Sequence, residues 1–414
     1  MFRGLLLVIL FTSCSYTYAC IEPRIGDPTW QYDQSKNDSR FPDIQEWIKA
    51  GVIGGVPCKE DSLKVGIKTA SSDFQEEIDK SYEVIQKKGL SHGYLLIENG
   101  THYIDSPINL KSGVILRGES KENTKLIVRI KNRYDEGISR IWAFNFDGVN
   151  NAGVENLTIK YEVKDKDGIS YQPLDRNNYD EKNFNTPWPF KNNLKVSRNE
   201  KNGEKSKLDK GLFVGFIRFK GETKNSWAQD LVLLESGTNP IWIAPDSSHI
   251  TLRGNDIYRC YNKGGNGNCY YGINGDYNLI TNERVRKIRH VAIQKGAQYN
   301  VLFKNDFEVD VNFHNGDEGS NLVESNQIRI PFIHKWPVIS TGGVKKHLPP
   351  GAGNLIYKNI TDHKRKKYNS IPSSRLLYTL NDYSAPPKFK GLDKWKYLPK
   401  YETLYPMKHK LQSQ

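Results

Sequence analysis

Short apolar stretches alternating with polar positions run through most of the chain and predict strands rather than helices. The clearest is 307–314 (FEVDVNFH), where Val309, Val311 and Phe313 alternate with polar residues. Strict alternation places one set of side chains on each face of a sheet. We therefore expect the apolar set to point inward and the polar set to point outward: Glu308, Asp310, Asn312 and His314.

The middle of the chain repeats one short strand-and-turn pattern. Copies with the sequences NLITN, NVLFKN, NLVESN and NLIYKN begin at Asn278, Asn300, Asn321 and Asn354, at intervals of 22, 21 and 33 residues. A period near 22 with several short strands predicts one coil of a parallel β-helix, in which equivalent residues stack about 4.8 Å apart. Recurrent asparagine at one turn can then form a hydrogen-bonded ladder. The leucine-rich repeat has a similar period, but its fixed leucine spacing is missing.

A helix and two strand segments precede the repeats. Ser72 can cap a helix from about Asp73 to Lys88, and the segments 94–104 (YLLIENGTHYI) and 112–118 (SGVILRG) follow it. This order resembles the start of pectin-lyase-like right-handed parallel β-helix proteins, a superfamily dominated by secreted enzymes that cut polysaccharides. The resemblance covers about residues 66–360. It implies a fold but no single reaction, because the superfamily contains lyases, hydrolases, epimerases and phage adhesins.

The expected fold class is all-β: a right-handed parallel β-helix with an N-terminal capping helix and a C-terminal extension. Five parts are predicted in chain order. They are a signal peptide (1–19), an N-terminal extension (20–65), the β-helix catalytic domain (66–361), a long insertion within it (161–210) and a basic, aromatic-rich C-terminal extension (362–414).

The first residues predict export. Arg3 precedes the apolar stretch 4–11, and Thr17-Tyr18-Ala19 would permit cleavage before Cys20. A looser likeness to a lipoprotein box ending at Cys14 leaves a lipid anchor as an alternative. No later apolar run is long enough to span a membrane. We expect a secreted or cell-surface monomer in which Cys260 and Cys269 form a disulfide, with Cys58 unpaired.

The formal charge of the chain is +13, and its distribution is uneven. Residues 362–414 carry 12 Lys or Arg against 4 Asp or Glu, interleaved with aromatic rings. For an exported protein this favours a polyanionic glycan over nucleic acid as the partner. No cofactor is indicated with certainty, although Glu308, Asp310 and Glu318 could contribute to a Ca²⁺ site.

A strip of titratable side chains is the candidate site. With an offset of 22 residues, His290 and Ala292 would lie below Asn312 and His314, while His334 and Trp336 would lie above them. Clustered titratable groups on one sheet face favour a site over scattered solvated residues. Flanking candidates are Arg289 and Lys295, and Trp242 is either a sugar platform or a core residue.

Two reactions fit this set. A lyase acting on a uronate polymer needs a base, a group that neutralises the carboxylate and an acid for the leaving oxygen. His290 or His314 could be the base, with Lys295 as second choice, and Arg289 or Asn312 could hold the carboxylate. A hydrolase needs two carboxylates, for which Asp310 with Asp317 or Glu318 is the best pair. Elimination is the leading hypothesis, hydrolysis is the alternative, and a non-catalytic glycan-binding β-helix is the third.

Overall fold

The structure is a computed structural model. It describes residues 20, 24–28, 43–130, 140–162, 214–260, 269–329, 338–343, 345–360 and 403–405, together with the backbone of 376–380. The expected signal peptide, nearly all of the expected insertion and most of the C-terminal extension lie outside these residues. In the part that is described, no helix is long and apolar enough to cross a membrane.

Nearly all of the regular secondary structure in the described residues is β-strand, arranged in three sheets. Sheet 1 contains eleven strands: β1 Leu63–Lys68, β2 Gly93–Ile97, β5 Val114–Gly118, β8 Gly153–Glu155, β11 Trp227–Gln229, β14 Thr251–Arg253, β17 Leu279–Thr281, β20 Val301–Phe303, β23 Leu322–Glu324, β26 Asn354–Asn359 and β27 Leu376–Leu380. Sheet 2 contains eight: β3 Gly100–Ile104, β6 Thr124–Val128, β9 Thr158–Tyr161, β12 Val232–Ser236, β15 Asp256–Cys260, β18 Arg284–Arg286, β21 Asp306–Glu308 and β24 Gln327–Ile328. Sheet 3 also contains eight: β4 Ile108–Asn109, β7 Ile141–Asp147, β10 Val214–Lys220, β13 Ile241–Ile243, β16 Tyr270–Ile273, β19 His290–Gln294, β22 Val311–Asn315 and β25 Ile339–Thr341.

The order of strands confirms the β-helix. Each coil gives one strand to each sheet, so from β2 to β23 each strand pairs in parallel with the strand three further along the chain. At the two ends of sheet 1, β1 pairs with β2 and β26 with β27. In sheet 1, Leu279 pairs with Val301, Val301 with Leu322 and Leu322 with Leu355, which is the predicted repeat. The chain is a right-handed parallel β-helix, the sense that connections between parallel strands adopt.

Inward-pointing apolar side chains from all three sheets form one continuous core along the helix axis. Val309, Val311 and Phe313 belong to it, as their alternation predicts. The segment 307–314 is nevertheless two strands and not one. A corner at Val309–Asp310 separates β21 in sheet 2 from β22 in sheet 3, so Glu308 lies on a different face from Asn312 and His314.

Two asparagine ladders flank the strands of sheet 1 and confirm the predicted stacking. In the first, the side-chain amide of Asn278 donates to Asn300 Oδ1 at 2.8 Å, and Asn300 and Asn321 continue the pattern to Asn354. The second ladder links buried side chains five residues further along each coil: Asn305, Asn326 and Asn359. Each Oδ1 also accepts a backbone N–H of the previous coil, so the ladders satisfy polar groups that the turns bury.

One end of the core is covered by the predicted helix. Two α-helices are described, α1 Ile44–Trp47 and α2 Phe74–Lys88, with a 3₁₀ turn at Lys59–Asp61. Helix α2 packs Phe74, Ile78 and Ile85 into the core. Its cap is Asp73, which accepts the backbone N–H of Glu76 at 2.9 Å, and not Ser72 as we expected. The Ser72 hydroxyl is instead bonded to Thr69, because it lies one residue too early to reach the first turn.

The outer face of sheet 1 is covered by the chain's own ends. Trp47 packs there and donates from its indole N–H to Ser320 O at 2.7 Å. From the other end, the backbone N–H groups of Leu404 and Tyr405 donate to the Glu324 carboxylate at 2.9 and 2.8 Å. Strand β27 also extends sheet 1 into the segment expected to be a C-terminal extension. Sheet 1 therefore presents no open face around these contacts.

Two disulfides close the structure. Cys260 and Cys269 are joined as predicted, with their Cα atoms 6.0 Å apart. The expectation that Cys58 is unpaired was wrong, because it is bonded to Cys20 across 5.4 Å between Cα atoms. The partner was missed because the two residues are 38 positions apart and meet only when the N-terminal segment folds onto the coils. Two disulfides suit an oxidising compartment such as the extracellular space.

Candidate active site

The outer face of sheet 3 carries side chains that differ from coil to coil. One row, read across paired strands, runs through Asn109, Asn145, Arg218, Trp242, Gly272, Ala292, Asn312 and Ser340. Beside it lie Tyr270 and His290, which are themselves paired. We call Tyr270, His290, Asn312, His314 and Ser340 the histidine face.

A buried carboxylate–imidazole pair lies at its centre. His290 Nδ1 is 2.8 and 2.9 Å from the two carboxylate oxygens of Asp310, and the residues are 1% and 0% exposed. Ser340 donates its hydroxyl to the same carboxylate, and Asn312 donates its amide at 3.3 Å. The carboxylate fixes the orientation of the imidazole, as in hydrogen-bonded catalytic pairs. Because Ser340 is bonded to Asp310 and not to His290, the three residues do not form a serine nucleophile triad.

A second pair lies beside it and reaches further towards the surface. The Tyr270 hydroxyl is 3.1 Å from His314 Nε2, and His314 Nδ1 is 3.1 Å from Gln294 Oε1. Because an amide oxygen only accepts, Nδ1 carries the proton and Nε2 accepts from the phenol. The rings of His290 and His314 are 5.9 Å apart, and His347 packs against His314 at 4.4 Å.

Burial keeps both members of this pair neutral, and neighbouring positive charge acts in the same direction on His314 only. Burial lowers the pKa of His314 to about 3, and charges on His290, His347 and Arg289 act in the same direction. Burial also raises the pKa of the Tyr270 phenol above its usual value. The arrangement therefore holds an unprotonated nitrogen acceptor next to a protonated hydroxyl donor throughout the neutral pH range.

Two buried tryptophans, Trp142 and Trp242, lie on the outer side of sheet 3, against glycines of the next coil. The Trp242 indole covers Gly272, and the Trp142 indole covers Gly215. A Cβ at Gly215 would be 2.6 Å from two carbons of the Trp142 ring, so both positions need glycine for the indoles to lie flat. With Tyr270 and Ala292 they form an apolar cluster separate from the core. Trp242 is 9% exposed, so most of its surface is packed within this cluster, and its predicted role as a sugar platform stays a prediction.

Cations surround these rings. The Arg289 guanidinium carbon is 5.4 Å from the Tyr270 ring centre, and Lys295 Nζ is 5.3 Å from that of Trp242. Arg140 lies 5.9 Å from the Trp242 ring. Burial lowers the pKa of Lys295, with a further contribution from the charge of Arg140. Lys295 itself occupies a turn with φ 59°, so only its side chain reaches towards the face.

The structure corrects the predicted register. Val291 pairs with Val311 and Ala292 with Asn312, so the offset in sheet 3 is 20 residues and not 22. His290 therefore lies next to Asp310, and His314 is bonded to Gln294. The error arose because the 22-residue period was measured in sheet 1, whereas sheet 3 has a shorter corner and a bulge after Ile293. Side chains in a strand alternate between the two faces, and the predicted and observed offsets, 22 and 20 residues, are both even. The predicted outward orientation of His290, Asn312 and His314 is therefore unchanged by the correction.

Asp317 and Glu318, the carboxylates suggested as partners of Asp310 in a hydrolase, lie in different surroundings. Asp317 accepts from the amide of Asn354 at 2.6 Å and from the backbone N–H of Gly319 at 3.0 Å, which places it at the first asparagine ladder. Burial raises its pKa. Glu318 lies in the adjoining turn, where its side chain is exposed. Among the described residues, no three His, Cys, Asp or Glu side chains converge to hold a metal ion, so the three acids suggested for Ca²⁺ form no cluster there.

Several residues of this face were missed by the sequence analysis. Tyr270, Gln294, Ser340 and His347 carry no motif, and only the coil register brings them to the histidines. One signal was available for Tyr270, because it directly follows the disulfide residue Cys269, whose bond fixes the start of β16. His334 and Trp336 lie outside the described residues, and their predicted place above the strip stays a prediction.

The fold and the face together define a β-helix protein with a polar, aromatic and cationic outer surface on one sheet. Neither a known protein family nor a curated protein sequence matches the chain.

Solved structures share the architecture at low similarity. The catalytic domain of a GH87 α-1,3-glucanase in complex with nigerose is 14% identical, with a TM-score of 0.39, over 72% of this chain and 45% of that one. A tailspike variant of E. coli bacteriophage HK620 in complex with a pentasaccharide is 11% identical, with a TM-score of 0.39, over 75% and 53%. Pectin methylesterase PemA from Erwinia chrysanthemi is 11% identical, with a TM-score of 0.35, over 77% and 93%. The chain thus spans about half the length of the glucanase domain and the tailspike, and at this similarity their activities do not transfer to it.

Proposed function

We propose that this protein is a secreted enzyme that depolymerises an acidic polysaccharide by β-elimination at the histidine face. The observation that carries the proposal is the Tyr270–His314 pair, in which a neutral nitrogen acceptor and a hydroxyl donor lie 3.1 Å apart on an outer surface lined with cations. Elimination requires those two functions close together, with a positive charge for the substrate carboxylate.

The steps can be assigned to atoms. A uronate unit between the two side chains would exchange their mutual hydrogen bond for contacts with the substrate. His314 Nε2 takes the proton from C5, and the C5–H electron pair becomes the C4=C5 double bond. The C4–O bond breaks, and the leaving oxygen takes the Tyr270 hydroxyl proton. Proton transfer from His314 back to the Tyr270 phenolate along their original hydrogen bond then restores both groups.

The other members of the face support these steps. Arg289, close to the Tyr270 ring, would neutralise the carboxylate next to C5 and so make that proton more acidic. His290 is a positioning residue in this assignment, because it is buried and held by Asp310. The hypothesis that His290 is itself the base, with Lys295 as second choice, is the alternative within the same reaction.

Hydrolysis receives less support from the geometry. It needs two carboxylates that both reach the glycosidic bond. Asp310 is covered and hydrogen-bonded to three side chains, while Asp317 is bonded into the asparagine ladder. A pair made from these two would require both to leave their partners.

The test is incubation of the purified protein with a panel of acidic glycans. Ultraviolet absorbance of the unsaturated uronate and new reducing ends are recorded in parallel. We expect both signals to rise together with one glycan, and to fall about 100-fold or more in Tyr270→Phe and in His314→Gln. Tyr103→Phe, which removes an exposed hydroxyl on sheet 2, is the matched control. Reducing ends without absorbance would contradict elimination and favour the hydrolase, and silence in both would favour a glycan-binding protein.

A further inference from the structure

Arg218 on β10 is a cation that the proposed reaction does not use. Its side chain projects from the same outer row as Trp242, Asn312 and Ser340, and it pairs in register with Asn145 on one side and Trp242 on the other. Strands in a sheet are about 4.8 Å apart, so β10 lies roughly 10 Å from β16 and Tyr270. One oligosaccharide lying across the coils would contact both places.

Among the described residues, no carboxylate lies within ion-pair distance of Arg218. Its Nη2 donates to the neutral Asn145 Oδ1 at 2.9 Å, while Nε is buried without a hydrogen-bond partner. Asp147 and Asp246 influence it only at longer range, and Asp147 is paired with Lys220. Burial lowers the pKa of the guanidinium. A desolvated guanidinium with an unused donor costs free energy unless a ligand supplies the missing acceptor.

Two indole rings, those of Trp142 and Trp242, flank the Arg218 guanidinium. The guanidinium carbon is 5.7 Å from the Trp142 ring centre, and Trp242 is its neighbour on the following strand. Both indoles are buried, at 3% and 9% exposed, and are held over glycines, so they are fixed walls beside Arg218. Aromatic surfaces next to a fork of N–H donors suit a sugar ring that carries a planar anionic group.

Two further cations lie beside the neighbouring indole of Trp242. Arg140 and Lys295 both lie within 6 Å of the Trp242 ring centre, at 5.9 and 5.3 Å. A stretch of surface with one sign of charge attracts an oppositely charged polymer and raises its local concentration.

We propose that Arg218, between Trp142 and Trp242, is an anion subsite that holds a carboxylate or sulfate of the glycan two strands away from Tyr270. This rests on the proposed function for its substrate class and deepens it, because it makes the charge of a unit away from the reacting bond a condition for binding. Arg218 takes no part in proton transfer and acts on affinity.

The experiment measures binding and not turnover, using the full chain with Tyr270→Phe so that no substrate is consumed. The probes are short oligosaccharides of galacturonate, of mannuronate and of a sulfated galactan, each with its carboxyl-reduced or desulfated counterpart, titrated by calorimetry. We expect at least one anionic oligomer to bind more tightly than its neutral counterpart. Arg218→Gln should weaken the anionic oligomer about tenfold or more and leave the neutral one unchanged. Arg218→Lys should recover only part of the loss, because an ammonium lacks the planar fork.

The control is Arg284→Gln, which removes one exposed positive charge from the outer side of sheet 2 and should change neither affinity. Preference for uronate over sulfate oligomers, or the reverse, identifies which anion is held. The proposal is overturned if no anionic oligomer binds better than its neutral counterpart, or if Arg218→Gln weakens both members of a pair equally. A binding preference that depends on Arg218 without any double-bond formation by the wild-type protein would refute the elimination reaction and leave the subsite standing.

Discussion

The asparagine ladders and the histidine face are built by the same stacking of coils and reach opposite results. In the first ladder every coil supplies the same residue, so each side chain finds an identical partner one coil away, as Asn300 does in Asn321. On the outer face of sheet 3 each coil supplies a different residue, so His290 finds Asp310 and His314 finds Gln294. In the ladder, identical residues on successive coils provide a hydrogen-bond partner for each buried amide. On the outer face of sheet 3, different residues on successive coils bring together titratable groups of different charge. The repeat therefore satisfies buried polar groups, and the proposed function places the chemistry where the repeat is broken.

The largest expected effect is on the ladder. Asn321→Ala removes the acceptor for both the backbone and the side-chain N–H of Asn300, which are buried. Leaving such donors unpaired should lower the free energy of unfolding by about 2–5 kcal/mol. Chemical denaturation measures this, with the exposed Asn123→Ala as the control, which should change stability by less than about 0.5 kcal/mol. If both substitutions lowered the free energy of unfolding equally, the ladder would make no particular contribution to stability.

The second prediction concerns the buried pair. Asp310→Asn keeps the shape of the side chain but removes the charge that orients His290. Turnover should fall about 100-fold if the pair positions the reacting groups. Asp306→Asn on sheet 2, which removes a carboxylate paired with Arg329, is the control and should retain turnover. If Asp310→Asn is as active as the wild type over the whole pH range, the pair is structural only.

The third prediction tests an ionisable member of the second ladder, Glu283. Glu283 takes the place of an asparagine in the second ladder, accepting from Asn255 at 2.8 Å and from the Tyr271 hydroxyl at 3.0 Å. Burial raises its pKa from 4.5 to about 8. A carboxyl with a raised pKa in the folded state stabilises the fold at low pH and loses that contribution as the pH rises through the folded value.

Stability should therefore decline between about pH 4.5 and 8 because of Glu283. Glu283→Gln should remove that decline and make the protein more stable at pH 8, as followed by thermal unfolding across the range. Glu122→Gln, on an exposed side chain, should leave the decline in place. An unchanged pH dependence in Glu283→Gln would mean that the carboxyl is already ionised when buried.

The smallest expected effect is on the aromatic platform. Gly272→Ala places a methyl group against the Trp242 indole and should tilt it away from the face. We expect KM to rise several-fold at nearly constant kcat, because overpacking of this kind costs about 1–3 kcal/mol locally. Gly343→Ala, where a Cβ meets nothing within 4 Å, is the control. If KM is unchanged, Trp242 does not contact substrate.

The sequence was sufficient for the repeating part of the molecule. Period and alternation predicted the coils, the inward set Val309, Val311 and Phe313 and the asparagine ladder, because each of these depends on local spacing alone. The face could be predicted only in part, since contacts such as His290 with Asp310 depend on the length of each corner, and corners vary between sheets. Two long-range contacts could not be predicted for a related reason: the disulfide between Cys20 and Cys58, and the hydrogen bond from the Leu404 backbone N–H to Glu324. In both, segments distant in the chain meet only after the coils have formed.

The most direct test of this division measures turnover and unfolding free energy for two variants together, Tyr270→Phe and Asn321→Ala, at a temperature where both are folded. We expect Tyr270→Phe to lose about 100-fold or more in double-bond formation with nearly wild-type stability. Asn321→Ala should lose stability and keep its turnover per folded molecule. Full turnover in Tyr270→Phe, or a loss in Asn321→Ala as large as in Tyr270→Phe, would contradict the assignment of chemistry to the histidine face.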